Sequence, residues 1–296
     1  MSFQVGTALV NAYRSNIEIQ FQQKGSRLRQ TVQTESQNSE YEYYDRIGPT
    51  DAVEVLNRHS DTPLISTPHS RRRVAMSDYD WADMIDRKDR IRMLADPTSP
   101  YSQNAVFALG RKMDDVIIAA ATGTAYTGKT GSTSVTFPAA SEVAVDYVES
   151  GSAANSNLTI GKLRRVRYLL DSEEAVEDGE TIWGIVSAAQ LQSLLRTTEV
   201  TSADYNSVKA LVAGEIDTFM GIRFVRTERL TVASDIRDCL FYPQSGMLMG
   251  VGSDIMVDVG PRRDKRNSVQ VYVSASFGAT RMWEEKVIRV KCDETT

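Results

Sequence analysis

One segment of this 296-residue chain has the residue types and spacing of a phosphate-binding loop. Gly123-Thr-Ala-Tyr-Thr-Gly128-Lys129-Thr130 satisfies the pattern G-x-x-x-x-G-K-[ST], in which backbone N–H groups and the lysine surround nucleotide phosphates. That chemistry requires a buried strand before the loop and a helix after it, so that the helix N-terminus meets the phosphates. Here a helical pattern precedes the loop, and the β-branched residues after it predict an extended chain. We therefore expect no nucleotide hydrolysis at Gly123–Thr130.

The other reactive residue types form no catalytic or metal-binding pattern in the sequence. His59 and His69 lie in a proline-rich segment without an adjacent nucleophile, so we interpret both as solvated loop residues. Cys239 and Cys292 are too few for a disulfide framework or a four-cysteine zinc site. The acidic pairs are predicted to be solvated carboxylates on charged helix faces or strand ends; they are Asp114-Asp115, Glu173-Glu174 and Glu284-Glu285. The sequence thus predicts no catalytic residue, no cofactor and no metal.

Composition and charge restrict the class of protein. The chain is 41% hydrophobic and 25% charged, which is typical of a globular protein with a sizeable core. Its 34 Lys+Arg and 39 Asp+Glu give a net charge of −5, which argues against a whole-surface nucleic-acid binder. No apolar run approaches the roughly 18 residues of a membrane span, and the first residues lack a signal-peptide pattern. We expect a soluble protein that is made in the cytoplasm.

Two short basic clusters are the candidate contact surfaces. The first is Arg71, Arg72 and Arg73, and the second is Arg262, Arg263, Lys265 and Arg266. Neither cluster contains the aromatic residues with which readers of single-stranded nucleic acid usually accompany such charge. On an acidic chain, basic loops favour charge complementarity between copies of the protein. We therefore predict inter-subunit contacts at these seven residues.

A long helix is the clearest element that precedes the glycine-rich loop. Ser99 is predicted as its N-cap, and Gly123 ends a helix over about 100–122. Apolar residues recur at helical spacing on one face; they are Val106, Leu109, Met113, Val116, Ile117 and Ala120. A helix with one apolar stripe must pack against a sheet or shell.

The remaining elements alternate between helices and strands. Further helices are predicted over 158–171 and Val208–Val212, and a capping box at Ser187–Gln190 opens another. Strands are predicted at Ile182–Val186, Gly221–Arg226 and Cys239–Tyr242, and over most of 255–290.

Two segments are too polar to form a core of their own. Residues 1–45 are glutamine-rich, with a predicted short strand at Ile17–Phe21. Residues 46–78 are proline-rich, and Val53–Val55 and Leu64–Ile65 are predicted to be two short strands joined by a polar turn. Because these segments bury little apolar surface, we expect a neighbouring subunit to order them; the alternative for the arm is that it packs on its own domain.

The order of these elements resembles that of the tailed-bacteriophage major capsid proteins with the Hong Kong 97 fold. The stretch EIDTFMGIRFVRTERL is similar to a passage typical of axial domains, and WADMIDRKDRIRM is similar to segments that link loop and spine. The resemblance implies an α+β fold with the following parts: an N-terminal arm (1–45), an extended loop (46–78), a peripheral domain (79–180) with a spine helix at about 100–122, an axial domain (181–250) and a return to the peripheral domain (251–296).

The resemblance also implies a function by self-assembly. Copies would form pentamers and hexamers that close into an icosahedral head, with the extended loop lying over a neighbour. The head would enclose packaged DNA, touched without sequence specificity, and would require a portal. Because no long acidic leader precedes the arm, the resemblance implies a separate scaffolding protein or none. We expect a chain lacking residues 48–70 to stay soluble but to assemble poorly.

Three alternatives remain open. The first is an encapsulin, a shell of the same fold that encloses enzymes instead of DNA. The second is a tail or decoration protein, which would form rings, tubes or trimers. The third is a nucleotide-binding enzyme that uses Gly123–Thr130.

Overall fold

The computed structural model describes residues 22–54, 61–86, 98–149, 151–177, 179–196 and 218–295. The strand predicted at Ile17–Phe21, the helix predicted at Val208–Val212 and His59 lie outside these ranges. The chain divides into two compact units. The smaller consists of Met1–Ser26, Asp78–Lys112 and Ser253–Ser276; the larger consists of Arg27–Ser77, Met113–Gly252 and Phe277–Thr296.

Three α-helices lie in the described ranges: α1 Thr98–Thr122, α2 Ile160–Ser172 and α3 Ala188–Arg196. Helix α1 begins two residues before its predicted start and ends where predicted. The capping box that opens α3 is confirmed, because the side-chain oxygen of Gln190 accepts the Ser187 N–H at 3.0 Å. None of these helices is long and apolar enough to cross a membrane.

Fifteen strands lie in the same ranges. They are β1 Gln33–Ser36, β2 Tyr41–Ile47, β3 His69–Ala75, β4 Ser77–Ile85, β5 Ala125–Thr127, β6 Thr133–Val135, β7 Glu142–Val143, β8 Ile182–Val186, β9 Thr218–Phe219, β10 Ile222–Arg226, β11 Val232–Ala233, β12 Ile236–Pro243, β13 Met247–Arg262, β14 Ser268–Arg281 and β15 Ile288–Asp293.

A seven-stranded sheet forms the centre of the larger unit. Its order is β7-β15-β12-β8-β10-β9, with β11 paired to β12. Strand β8 is parallel to β10, with Ile182 opposite Ile222, and antiparallel to β12. All five residues of β8 are buried, as expected for a central strand of a covered sheet. Helix α2 contacts β7 and β15 and buries the apolar side chains Ile160, Leu163, Val166 and Leu170.

A second sheet of the larger unit has the order β2-β3-β5-β6. The predicted strands around Val53 and Leu64 are wrong, because the described parts of that loop (48–54 and 61–68) contain no strand. Val53 and Leu64 are 57% and 98% exposed, so neither has a core to pack on. The strands that flank the loop are β2 and β3, and the Gly48 N–H donates to the Pro68 carbonyl at 2.9 Å to close its base.

The smaller unit is built on the outer parts of β13 and β14, with β4 beside β14. Val271 and Val273 of β14 are fully buried, and on the polar side the Tyr272 hydroxyl donates to Asp80 at 2.8 Å. Residues 22–26 lie against α1, where a Cβ on Gly110 would lie 2.6 Å from the backbone of Gly25. Only glycine at position 110 permits this approach.

The division into peripheral (79–180 and 251–296) and axial (181–250) domains stays a prediction. One sheet contains strands from both predicted domains, because β7 and β15 of the predicted peripheral domain lie in the same sheet as β8, β10 and β12 of the predicted axial domain.

Candidate functional site

The first basic cluster occupies the middle of β3, where alternation sends its side chains to opposite faces of the sheet. Arg71 is exposed, and its Nε donates to Asp45 of the neighbouring strand at 2.5 Å. Arg72 is fully buried. Arg73 lies on the same face as Arg71 and is partly covered by aromatic rings. Three consecutive arginines therefore have three different environments.

Arg72 is used inside its own chain. Its guanidinium forms an ion pair with Glu284 and also donates to the Met282 carbonyl at 3.3 Å. Arg46 of β2 donates to the same carbonyl and lies 4.6 Å from the ring centre of Trp283. Burial and the charge of Arg72 lower the pKa of Arg46. This cluster fixes the base of the β2–β3 hairpin, so the proposed subunit contacts of this triplet rest on Arg71 and Arg73.

Tertiary structure surrounds Arg73 with tyrosines that are distant in the sequence. Its guanidinium lies 4.8 Å from the ring centre of Tyr41 and 4.4 Å from that of Tyr126. The Tyr43 hydroxyl donates to the Thr130 carbonyl at 3.2 Å on the same face. The three tyrosines are each about two-fifths exposed, at 43%, 39% and 39%. Tyrosine and arginine are the residue types enriched in protein–protein contacts. Sequence reasoning missed this surface, although the Y-x-Y alternation of β2 pointed to it.

The glycine-rich segment forms the turn of the β5–β6 hairpin. Gly128 and Gly131 both have positive φ, at 94° and 61°, and the Gly131 N–H donates to the Gly128 carbonyl at 3.0 Å. A Cβ on Gly131 would lie 2.6 Å from Cδ of Arg73. The glycines thus serve a tight turn against β3, and a strand leaves the loop where a nucleotide site requires a helix.

A cavity of about 370 Å³ lies beside this turn. It is lined by Asp45, His69, Ser70, Arg71, Gly128 and Lys129. The Thr127 hydroxyl donates to the Arg71 carbonyl at 2.6 Å and so holds β5 against β3 at the cavity wall. His69 is exposed as predicted, but the prediction of a loop position is wrong, because it is the first residue of β3 and pairs with Ile47 of β2. No group of three metal-ligating side chains occurs among the described residues.

The second basic cluster forms the tip of the β13–β14 hairpin and is exposed throughout. Arg262 donates to both carboxylate oxygens of Asp264, at 2.8 and 2.7 Å, and to Gln270 at 2.9 Å. The hydrogen bonds from Arg262 lower the pKa of Asp264 to about 2. Arg263, Lys265 and Arg266 extend from the same turn. Inter-subunit contacts of this cluster stay a proposal.

The prediction that the acidic pairs are solvated is wrong for Asp114 and for Glu284. Asp114 is fully buried, and its carboxylate accepts the backbone N–H of Arg27 and of Leu28. Its neighbour Asp115 binds Arg229 through two contacts of 2.5 Å. Glu284 is only 17% exposed because it pairs with Arg72. The cause is tertiary in each case, because the partner of the carboxylate lies far away in the sequence.

Lys162 and the two cysteines are also buried in the larger unit. Lys162 of α2 is fully buried, and its ammonium donates to three carbonyls, those of Val145, Ser156 and Lys291. Burial lowers the pKa of Lys162. Cys239 and Cys292 are free and buried on neighbouring strands. A hydrogen bond with Cys292 and burial both raise the pKa of Cys239, which keeps it in the unreactive thiol form.

Comparisons with known proteins agree over the length of the chain. A family model described as phage capsid protein matches residues 5–294. No curated protein is significantly similar to this chain. Among solved structures, the capsid of Ralstonia phage GP4 has a TM-score of 0.76 at 11% identity, covering 96% of this chain and 95% of that chain. The capsid of Helicobacter pylori bacteriophage KHP30 has a TM-score of 0.73 at 8% identity, covering 99% and 98%. The cyanophage Pam1 capsid has a TM-score of 0.70 at 13% identity, covering 99% of both chains.

Identities this low establish the fold and nothing more. They confirm the α+β, Hong Kong 97-type capsid fold that the order of elements predicted. The family match rests on the sequence itself and extends over nearly all of it. The chain belongs to the phage capsid protein family.

Proposed function

We propose that this protein is the major capsid protein of a tailed phage, whose copies form pentamers and hexamers that close into an icosahedral head around packaged DNA. The observation that carries the proposal is the family match over residues 5–294, which leaves almost none of the chain outside the capsid family. Membership of this family implies a structural and not a catalytic role. The protein is made in the host cytoplasm and ends in the virion, with separate scaffolding and portal proteins as partners.

The extended loop supports assembly through neighbouring subunits. Its described residues expose large apolar side chains, with Leu64 at 98%, Ile65 at 48% and Val53 at 57%. Apolar side chains held this far from any core are stabilised when a second molecule covers them. The loop therefore acts as a contact between copies.

The tip of the β13–β14 hairpin also supports assembly through contacts between copies. On β13, Met256 is 64% exposed, Val257 47% and Val259 44%, next to the basic turn at 262–266. Each such contact is modest, but a closed symmetric shell holds every subunit by several of them at once.

The test is light scattering with negative-stain microscopy of the purified protein, alone and co-expressed with the genes beside it. We expect closed particles tens of nanometres across, or free pentamers and hexamers. Rings, tubes or trimers would favour a tail or decoration protein, and a protein that remains monomeric in both preparations contradicts the proposal. Enzyme cargo inside the particles in place of DNA would identify an encapsulin.

A matched variant replaces residues 49–67 with a short Gly/Ser linker and keeps Gly48 and Pro68, whose hydrogen bond closes the loop base. Because β2 and β3 are untouched, we expect a folded subunit that no longer forms closed particles. If this variant forms normal particles, the loop is not required for assembly.

A further inference from the structure

We propose that the cavity beside Lys129 receives carboxylates from a second copy of this chain, supplied by Glu173, Glu174 and Glu177, which follow α2. The inference rests on the proposed function, since it names one of the contacts by which copies assemble. It also gives a role to Lys129, the residue of the phosphate-loop pattern that the hairpin turn itself does not use.

The cavity has an excess of positive charge. Its lining contains Arg71, Lys129 and one acidic residue, Asp45. The Asp45 carboxylate is already bound to Arg71 at 2.5 Å. Lys129 is exposed at the tip of the hairpin and forms no ion pair with any residue of the described ranges. The cavity can therefore accept a further carboxylate without displacing a contact made within the subunit.

The surroundings of the cavity suit a protein partner. Gly128 and Gly131 adopt the conformations that form the turn carrying Lys129. Because the turn is already formed, binding costs little conformational entropy beyond that of the Lys129 side chain. Arg73, Tyr43 and Tyr126 lie on the same sheet and provide adjoining aromatic surface. Exposed tyrosines and arginines are residue types enriched in protein–protein contacts.

The acidic segment has the complementary charge. Glu173, Glu174 and Glu177 are exposed and form no ion pair with other described residues. The Ala175 N–H donates to the Leu170 carbonyl at 2.9 Å, and Ala175 itself is buried. This contact anchors the backbone just after α2 while the glutamate side chains on either side of Ala175 stay exposed. Carboxylates this close repel one another in the free subunit, and a cation from a neighbour relieves that repulsion.

Some other acidic side chains are already engaged, and others, such as Asp51, Glu54 and Asp61 of the extended loop, are exposed but more widely spaced than the glutamates at 173–177. Asp78 and Asp80 of β4 accept hydrogen bonds from Ser276 and Tyr272, at 2.5 and 2.8 Å. Packaged DNA is a poorer occupant of the cavity, because phosphate backbones are bound by arrays of cations and this lining includes a carboxylate. The exposed glutamates at 173–177 remain the best match.

The first experiment is charge reversal followed by the yield of closed particles at physiological salt. Lys129→Glu and the triple change Glu173→Lys, Glu174→Lys, Glu177→Lys should each lower the yield at least about tenfold, because every subunit in the shell repeats the loss. Combining the two sets should restore at least part of the yield. Lys129→Arg is the matched control, since it keeps the charge and should assemble normally. Equal yields from the reversed and wild-type chains would overturn the inference while leaving the capsid function intact.

A second experiment does not depend on shell formation. The peptide DSEEAVEDGE is titrated into the full-length protein in a calorimeter, beside a peptide in which every Glu is Gln. We expect weak, salt-sensitive binding of the acidic peptide only, and at least a tenfold loss with Lys129→Glu. The proposal is refuted if the acidic peptide does not bind, or if it binds wild type and Lys129→Glu equally well. Both outcomes can be measured even if the protein never assembles. Duplex DNA that binds more tightly than the peptide and depends on Lys129 would assign the cavity to nucleic acid instead.

Discussion

The carboxylate of Asp114, in the middle of α1, accepts the backbone N–H of Leu28 at 3.1 Å. The N–H of Arg27 donates to both oxygens of the same carboxylate, at 3.2 and 3.1 Å. One buried side chain thus satisfies two backbone donors that are more than 80 residues away in the sequence. This part of the predicted arm (1–45) therefore packs on its own chain, and the expectation that a neighbouring subunit orders it is wrong here.

This relationship predicts a large effect from Asp114→Ala. The change leaves the buried N–H of Leu28 and the part-buried N–H of Arg27 without that acceptor, which should lower the free energy of unfolding by at least about 2 kcal/mol. Asp115→Ala is the control next to it, because its pair with Arg229 is about one-third exposed and should contribute no more than about 1 kcal/mol. Urea unfolding of the free subunit measures both, and equal losses would contradict the assignment.

The arginine triplet predicts a similar contrast between neighbours. Arg72→Met leaves the poorly exposed Glu284 without its main partner and should lower the free energy of unfolding by about 3 to 5 kcal/mol. Arg71→Met removes only an exposed pair with Asp45 and should change it by less than about 1 kcal/mol. Thermal unfolding of the two variants tests this. A milder effect at 72 than at 71 would mean that the buried pair is not formed.

Acid should weaken the C-terminal contacts through Glu294. Its carboxylate binds Arg237 at 2.5 Å and Gln190 at 3.0 Å, and the hydrogen bond from Arg237 holds the pKa of Glu294 below its ordinary value. Because the folded pKa lies below the unfolded value of about 4.3, the contribution is complete above that pH and is lost as pH falls through the folded pKa.

The variant that isolates this contribution is Glu294→Gln. At pH 7 it should be less stable than the wild type by about 1.5 to 3 kcal/mol, the range for hydrogen bonds to charged groups. Between pH 5 and pH 2 (roughly the range of carboxylate titration) the difference should shrink. A difference that stays constant with pH would show that the charge of Glu294 does not matter.

The turn at 128–131 predicts which of its residues matter for folding. Gly131→Ala places a side chain at positive φ and against Arg73, and should destabilise the subunit by about 1 to 3 kcal/mol. Lys129→Ala should leave stability unchanged within about 0.5 kcal/mol, because the side chain is exposed.

Lys129→Ala also decides between a turn and a nucleotide site. Calorimetric titration with MgATP should give the same negligible heat for the wild type and for Lys129→Ala. Binding that Lys129→Ala abolishes would revive the nucleotide-binding alternative.

The sequence by itself determined the elements whose signals are local. Helix α1, strand β8 and the capping box at Ser187–Gln190 were all predicted, because apolar periodicity, caps and breakers act over a few residues. The order of such elements resembles that of the Hong Kong 97 capsid fold, and the solved capsid structures confirm that fold.

Only the tertiary structure decided what the individual polar residues do. Asp114 can be buried because it accepts the Leu28 N–H, and Arg72 can be buried because it pairs with Glu284. Neither pairing has a local signal in the sequence. The strands that carry the extended loop were misplaced for the same reason, because short apolar runs become strands only where a partner strand and a core accept them. Gly128-Lys129 matches a phosphate loop in sequence and forms a hairpin turn in three dimensions, because a short pattern specifies neither the strand before it nor the helix after it.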